Sequence, residues 1–131
     1  MFAFTGAAPT SVTSVTATTQ ASANVPIAST TFTATEMIVT LGAVPNGARV
    51  QVSASGVNGA SGPNASVVVG FLEGDVTNSR SVNSSDILAV RLLSGQAVTA
   101  ANFRNDVTAS GGTINASDIL AVRLKSGQNL Q

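Results

Sequence analysis

Four of the six carboxylates in this chain stand at the ends of two loops of nearly equal length. The first loop reads Asp75-Val76-Thr77-Asn78-Ser79-Arg80-Ser81-Val82-Asn83-Ser84-Ser85-Asp86, and the second Asp106-Val107-Thr108-Ala109-Ser110-Gly111-Gly112-Thr113-Ile114-Asn115-Ala116-Ser117-Asp118. Oxygen donors arranged in this way suit a hard cation. Calcium takes about six to eight oxygen ligands, and a loop of about twelve residues can supply them from its first, third, fifth, seventh, ninth and last positions before running into a helix. In the first loop those positions hold Asp75, Thr77, Ser79, the Ser81 carbonyl, Asn83 and Asp86. The corresponding donors of the second are Asp106, Thr108, Ser110, Asn115 and Asp118.

The elements that must position these oxygens form a near-perfect repeat. SDILAVRLLSGQ begins at Ser85 and SDILAVRLKSGQ at Ser117, with Leu93 exchanged for Lys125. Ile87, Leu88, Val90 and Leu92, and equally Ile119, Leu120, Val122 and Leu124, recur at helical spacing, and Gly95 and Gly127 follow as C-terminal caps. Two identical stripes are expected to pack against each other about a pseudo-twofold axis, with Arg91 and Arg123 away from most of the seam. Between the copies, Thr99–Phe103 is expected to be a short helical linker with Phe103 in the core.

The segments Gly74-Asp75-Val76, Val82-Asn83-Ser84-Ser85-Asp86-Ile87-Leu88, Asp106-Val107 and Ile114-Asn115-Ala116-Ser117-Asp118-Ile119-Leu120 resemble a type I dockerin, a tandem of two calcium loop-helix units. The likeness extends from Gly74 to Gln128. It implies two antiparallel helices, calcium as cofactor, and a cohesin-like protein partner that docks on the helix surfaces near the serines. The β-rich part before it resembles the immunoglobulin-like segments that precede such tails in secreted bacterial proteins.

Departures from the dockerin pattern bear on the ion. Hydroxyls at Thr77, Ser79, Thr108 and Ser110 replace the usual Asn and Asp, leaving two formal negative charges per loop. That places calcium affinity at the weak, extracellular end, ~10⁻⁴ to 10⁻³ M. Arg80 occupies the position where a glycine permits the sharp turn, and the second loop keeps Gly111 there but is one residue longer. A rival arrangement keeps the fold without the ion: the Arg80 guanidinium pairs with Asp75 or Asp86, while Asp and Ser cap turns and helix starts.

Composition narrows the function. Charged residues are 9% of the chain and sum to zero, so the basic footprint of nucleic-acid binding is missing. No apolar run approaches the ~18 residues of a membrane span. Cys and His are absent and Lys125 is the single lysine, so the usual bases for a Ser nucleophile are missing. Glu36 and Glu73 are the alternative for a carboxylate pair, with nothing in the sequence to place them together. The expectation is a protein that is not an enzyme, located outside the cell or at its surface. Asn-x-Ser sequons at Asn64, Asn83 and Asn115 are read first as turn or ligand residues.

Ten of the twelve charged residues follow residue 72, which divides the chain into a β-rich domain, 1–72, and a dockerin-like domain, 73–131. Strands are expected at Val12–Thr16, Thr30–Thr33, Glu36–Leu41, Arg49–Ala54 and Ser66–Phe71, with Pro45-Asn46-Gly47 turning Glu36–Leu41 into a hairpin with Arg49–Ala54. The fold class is thus α+β: a small immunoglobulin-like β-sandwich followed by a two-helix pseudo-twofold repeat. A complete sandwich of this type takes about 100 residues and about seven strands, so this one is expected to be incomplete, with an open edge. Residues 1–19 are either a strand donated to a neighbouring copy or a linker. Two functions follow: docking on a protein partner, or self-assembly of copies into a filament or surface layer through the open edge.

Overall fold

A computed structural model describes the chain apart from residues 1, 4–7 and 62. Its fold is α+β, with antiparallel sheets followed by two helices. The chain separates into two compact units, Met1–Phe71 and Leu72–Gln131.

The first unit holds β1 (Phe2–Ala3), β2 (Ser14–Thr19), β3 (Ile27–Phe32), β4 (Glu36–Leu41), β5 (Ala48–Ser55) and β6 (Pro63–Phe71). They form two three-stranded sheets, in the orders β1-β4-β3 and β2-β5-β6. Both sheets feed one core of Ala17, Val25, Met37, Val50, Val52, Ala54 and Val57. Period-two alternation builds it: Val50, Val52 and Ala54 are buried while Gln51 between them is exposed. Short side chains dominate this core, and Met37 is its largest fully buried member.

The expected hairpin between Glu36–Leu41 and Arg49–Ala54 does not form. β4 pairs instead with β3, and β5 with β2 and β6. A closer turn wins β4: Thr33 N–H donates to the Glu36 carbonyl at 2.8 Å, and the Thr33 hydroxyl oxygen accepts from the Glu36 N–H at 3.1 Å. The Pro45–Gly47 turn carries the chain from one sheet to the other, and Gly47 N–H is held by the Phe71 carbonyl. The β5–β6 hairpin passes through Gly56, whose left-handed φ of 69° and contact with Thr13 leave no room for a Cβ. Asn58 in that hairpin pins the chain before β2, accepting from Thr10 N–H at 2.8 Å and donating to the Ala8 carbonyl at 2.9 Å.

The segment considered as a donated strand is only partly available for that role. Its Ser14–Thr19 portion is β2, paired along its length with Val50–Ser55 of the same chain. Phe2–Ala3 pairs with Glu36–Met37, and residues 1 and 4–7 lie outside the described residues.

In the second unit, α1 (Ser84–Leu92) and α2 (Ala116–Lys125) pack over a core of Val82, Val90, Ile114 and Val122. The expected apolar stripe is corrected in part. Val90 and Val122 are buried, but Leu88, Leu92, Leu120 and Leu124 are 55%, 71%, 55% and 74% exposed. The inward face runs through Asp86, Ile87, Val90 and Leu93, which turns the i, i+4 leucine pair to solvent. Phe103 is also no core residue, being 60% exposed at the start of a short 3₁₀ turn, Phe103–Asn105. Among the described residues, no helix is long and apolar enough to cross a membrane.

Candidate functional site

Each loop ends in a helix start built the same way. Asn83 and Asn115 are the N-caps: their side-chain oxygens accept from Ser85 and Ser117 N–H, each at 2.8 Å. Asp86 and Asp118 complete a capping box, accepting from the Asn83 and Asn115 N–H at 2.9 Å. Both carboxylates are fully buried. Their other oxygens accept from Thr77 N–H and hydroxyl at 3.0 and 2.7 Å, and from Thr108 N–H and hydroxyl at 3.0 and 2.8 Å. Burial pushes these two carboxyls up, but the hydrogen bonds from Asn83 and Thr77, or from Thr108 and Asn115, outweigh it and hold both below the ordinary carboxylate range.

The loop starts are equally alike. Asp75 accepts from Ser79 and Arg80 N–H, both at 2.8 Å, and Asp106 from Ser110 and Gly111 N–H at 3.0 and 2.9 Å. The extra residue of the second loop is therefore absorbed after Gly111, and both loops keep one register up to that point. Arg80 thus serves Asp75 through its backbone N–H. The expected guanidinium pairing is corrected accordingly, and the one ion pair among the described residues is Lys125 to Glu73 at 2.8 Å.

Pairwise, the structure brings the proposed ligand positions together. The Ser79 hydroxyl lies 3.4 Å from the Asp75 carboxylate and 2.8 Å from the Ser81 carbonyl, and the Thr77 hydroxyl meets Asp86. In the second loop, Ser110 lies 3.2 Å from Asp106 and Thr108 meets Asp118. Asn83 and Asn115 are the exceptions, since their carbonyl oxygens are turned to the helix starts as caps. The donors of each loop therefore satisfy one another by hydrogen bonds, with neutral hydroxyls bridging to carboxylates. Among the described residues, no group of three or more Asp, Glu, His or Cys side chains is placed to hold a metal ion. The same capping explains the sequons at Asn83 and Asn115, while Asn64 falls in β6.

One feature was not anticipated from the sequence: each loop is fastened by the far end of the other copy's helix. Gly95 N–H donates to the Ile114 carbonyl at 2.8 Å and Ile114 N–H to Gln96 at 2.9 Å. Reciprocally, Gly127 N–H donates to Val82 at 2.8 Å and Val82 N–H to Gln128 at 2.9 Å. Val82 and Ile114 are buried beneath these bridges, so their side chains seal the core while their backbones link the copies. The repeated SGQ after each helix is the signal for this contact. Gly95 and Gly127 take φ of 88° and 91°, which turns the chain back toward the opposite loop.

Outside the loops, Ile87, Arg91, Ile119 and Arg123 line an open groove of about 520 Å³ between the helices. Leu88, Leu92, Leu120 and Leu124 are exposed on the same two helices. The chain matches no known family model, and no curated protein or solved structure is similar enough to count as a match.

Proposed function

We propose that the chain is a non-enzymatic protein-association module, extracellular or at the cell surface, whose dockerin-like repeat docks on a cohesin-like partner. The observation that carries this reading is the matched exposure of Leu88, Leu92, Leu120 and Leu124, two per helix, beside the groove of Ile87, Arg91, Ile119 and Arg123. Large apolar side chains turned to solvent at equivalent points of both copies have no use inside the unit, and exposed apolar patches mark interaction surfaces. On this reading the β unit is a small immunoglobulin-like sandwich that spaces the repeat. Binding measured by calorimetry against a panel of cohesin modules tests it, alongside the variants Leu88→Ser/Leu92→Ser and Leu120→Ser/Leu124→Ser. A weaker affinity in either variant, with an unchanged circular dichroism spectrum, supports docking; no binding to any module, or binding by both variants as tight as the parent's, refutes it.

Calcium is part of the proposal as a weak ligand of the first loop, held by Asp75, Thr77, Ser79, the Ser81 carbonyl and Asp86. It would neutralise the two carboxylates that hydrogen bonds now satisfy. At a dissociation constant of ~10⁻⁴ to 10⁻³ M, about 1 mM calcium adds only about 0.4 to 1.4 kcal/mol of stability. A chelator should therefore lower the melting temperature slightly and leave the fold intact.

A further inference from the structure

The outer face of the β2-β5-β6 sheet holds a recess of about 270 Å³ lined by Thr18, Thr19, Gln20, Arg49, Gln51 and Val68. Strand register lays it out. Val50, Val52 and Ala54 of β5 point into the core, so Arg49, Gln51 and Ser53 face away from it. Gln51 stands opposite Thr18 of β2 and Val68 of β6, and Arg49 opposite Gly70. Gln20, just beyond β2, joins the Arg49 row by donating its N–H to the Arg49 carbonyl at 3.2 Å. Because Gly70 has no side chain, the Arg49 side chain is left open on that flank.

Three features of this recess have no use in the fold. Arg49 and Glu36 are the only charged side chains among residues 1–72, and Glu36 lies on β4 in the other sheet. Among the described residues the half-buried Arg49 guanidinium makes no ion pair and no hydrogen bond, so its charge and its N–H donors are unmatched. The Gln51 amide is held in place: its Nε2 donates to the Ser53 and Ser66 hydroxyls at 3.4 and 3.2 Å, which leaves its carbonyl oxygen to accept from a ligand. Val68 is 59% exposed, an apolar side chain among Thr, Gln and Arg. We infer that the recess binds one acidic sugar residue, a hexuronate, with its carboxylate on Arg49, its hydroxyls on Gln20, Gln51 and Thr18, and the C–H face of its ring on Val68. Each part of the lining matches one part of that ligand. A guanidinium pairs with a carboxylate through two parallel N–H bonds. Amides and hydroxyls both donate and accept, as sugar hydroxyls require. An acidic peptide would satisfy Arg49 but bring no hydroxyls for the amides and Thr18, and a neutral sugar would leave the guanidinium unmatched. Ligand pockets run from about 300 to 1,000 Å³, so this recess is at the small end and takes a single ring. The site belongs to the β unit and is independent of docking through the helices.

The test titrates the full chain with uronic-acid trisaccharides of the galacturonate, mannuronate and guluronate series, following the backbone amides by NMR. Binding should shift the amides of Gln20, Arg49, Gln51 and Val68 and leave those of the loop-helix unit unmoved. Arg49→Gln should weaken it about tenfold or more, because a charge-assisted contact is lost. Val68→Ser should weaken it by less. Both side chains lie on the outer face, so both variants should keep the parent circular dichroism spectrum. Methyl esterification of the sugar carboxylates leaves every hydroxyl in place and should weaken binding to the unaltered chain as much as Arg49→Gln does. The ester needs no variant, so it carries the test even if Arg49→Gln does not fold. No shift with any of the three series overturns the proposal, as does an Arg49→Gln variant, or a methyl ester, that binds as tightly as the parent pair. An oligoglutamate peptide that binds as tightly as the trisaccharides overturns it too, and would give the recess to an acidic peptide.

Discussion

The two loop-helix copies share one aspartate-centred hydrogen-bond frame although residues between the frame positions differ. Both place the third and fifth residues after the opening aspartate in the left-handed region: Asn78 at φ 62° and Arg80 at 71° in the first, Ala109 at 50° and Gly111 at 65° in the second. Asn and Gly accept that conformation readily, whereas Arg and Ala do not. Each loop thus has one well-suited and one ill-suited residue, at opposite positions. The frame of Asp75 or Asp106 at the start and Asp86 or Asp118 at the end dictates the path, and the residues between them comply. The added Gly112 of the second loop changes neither end of that frame.

The largest expected effect comes from removing the frame. Asp86→Ala or Asp118→Ala leaves two N–H groups and a Thr hydroxyl without their acceptor at a buried site, at a cost of about 3 to 5 kcal/mol in urea unfolding. Equivalent copies predict equal losses, and a difference above about 1 kcal/mol would break the equivalence. The parent chain should also lose stability in acid. Both carboxyls have folded values below their ordinary 3.8, so their contribution is fully present above that pH and is lost as pH falls through the folded values. Either alanine variant should flatten that acid limb.

Much of the second unit is legible in the sequence because repetition advertises it. The Asp ends, the Asn-x-Ser-Asp helix starts and the glycine after each helix are all in the letters. The inward face is not, because Leu88 and Leu92 are as apolar as Val90, and only the capping geometry that buries Asp86 decides which side faces in. The roles of Asn83 and Asn115 escaped for a related reason: an amide at that position suits a ligand or a cap, and the choice depends on where the chain turns next. In the β unit the strands Glu36–Leu41 and Arg49–Ala54 stand out by alternation, but their partners do not. Pro45-Asn46-Gly47 looks like a hairpin turn, yet the Thr33 hydroxyl closes a turn with no Gly or Pro to mark it.

An intermediate effect should follow from the hydroxyls. Thr77→Val and Thr108→Val keep shape and β-branching but delete a donor to a buried carboxylate at 2.7 and 2.8 Å. The Thr N–H still serves the same oxygen, so the loss should be about 1.5 to 3 kcal/mol and alike in the two copies. If millimolar calcium stabilised the parent and Thr108→Val alike but Thr77→Val less, the copies would be distinguished by the first loop's taking the ion with the Thr77 hydroxyl among its ligands.

The smallest effect separates the copies by their unsuited residues. Arg80→Gly relieves a left-handed arginine, and Ala109→Asn a left-handed alanine, each gaining about 0.5 to 1 kcal/mol after allowance for the looser unfolded chain. The reverse changes, Asn78→Ala and Gly111→Ala, should cost about as much. Because each loop has its own aspartate frame, Arg80→Gly and Ala109→Asn should add within about 0.5 kcal/mol when combined. A combined gain well short of the sum would mean that strain in one loop is felt in the other. The backbone bonds that tie each loop to the segment after the opposite helix, from Gly95, Gln96 and Val98 to the second loop and from Gly127, Gln128 and Leu130 to the first, are links through which that could happen.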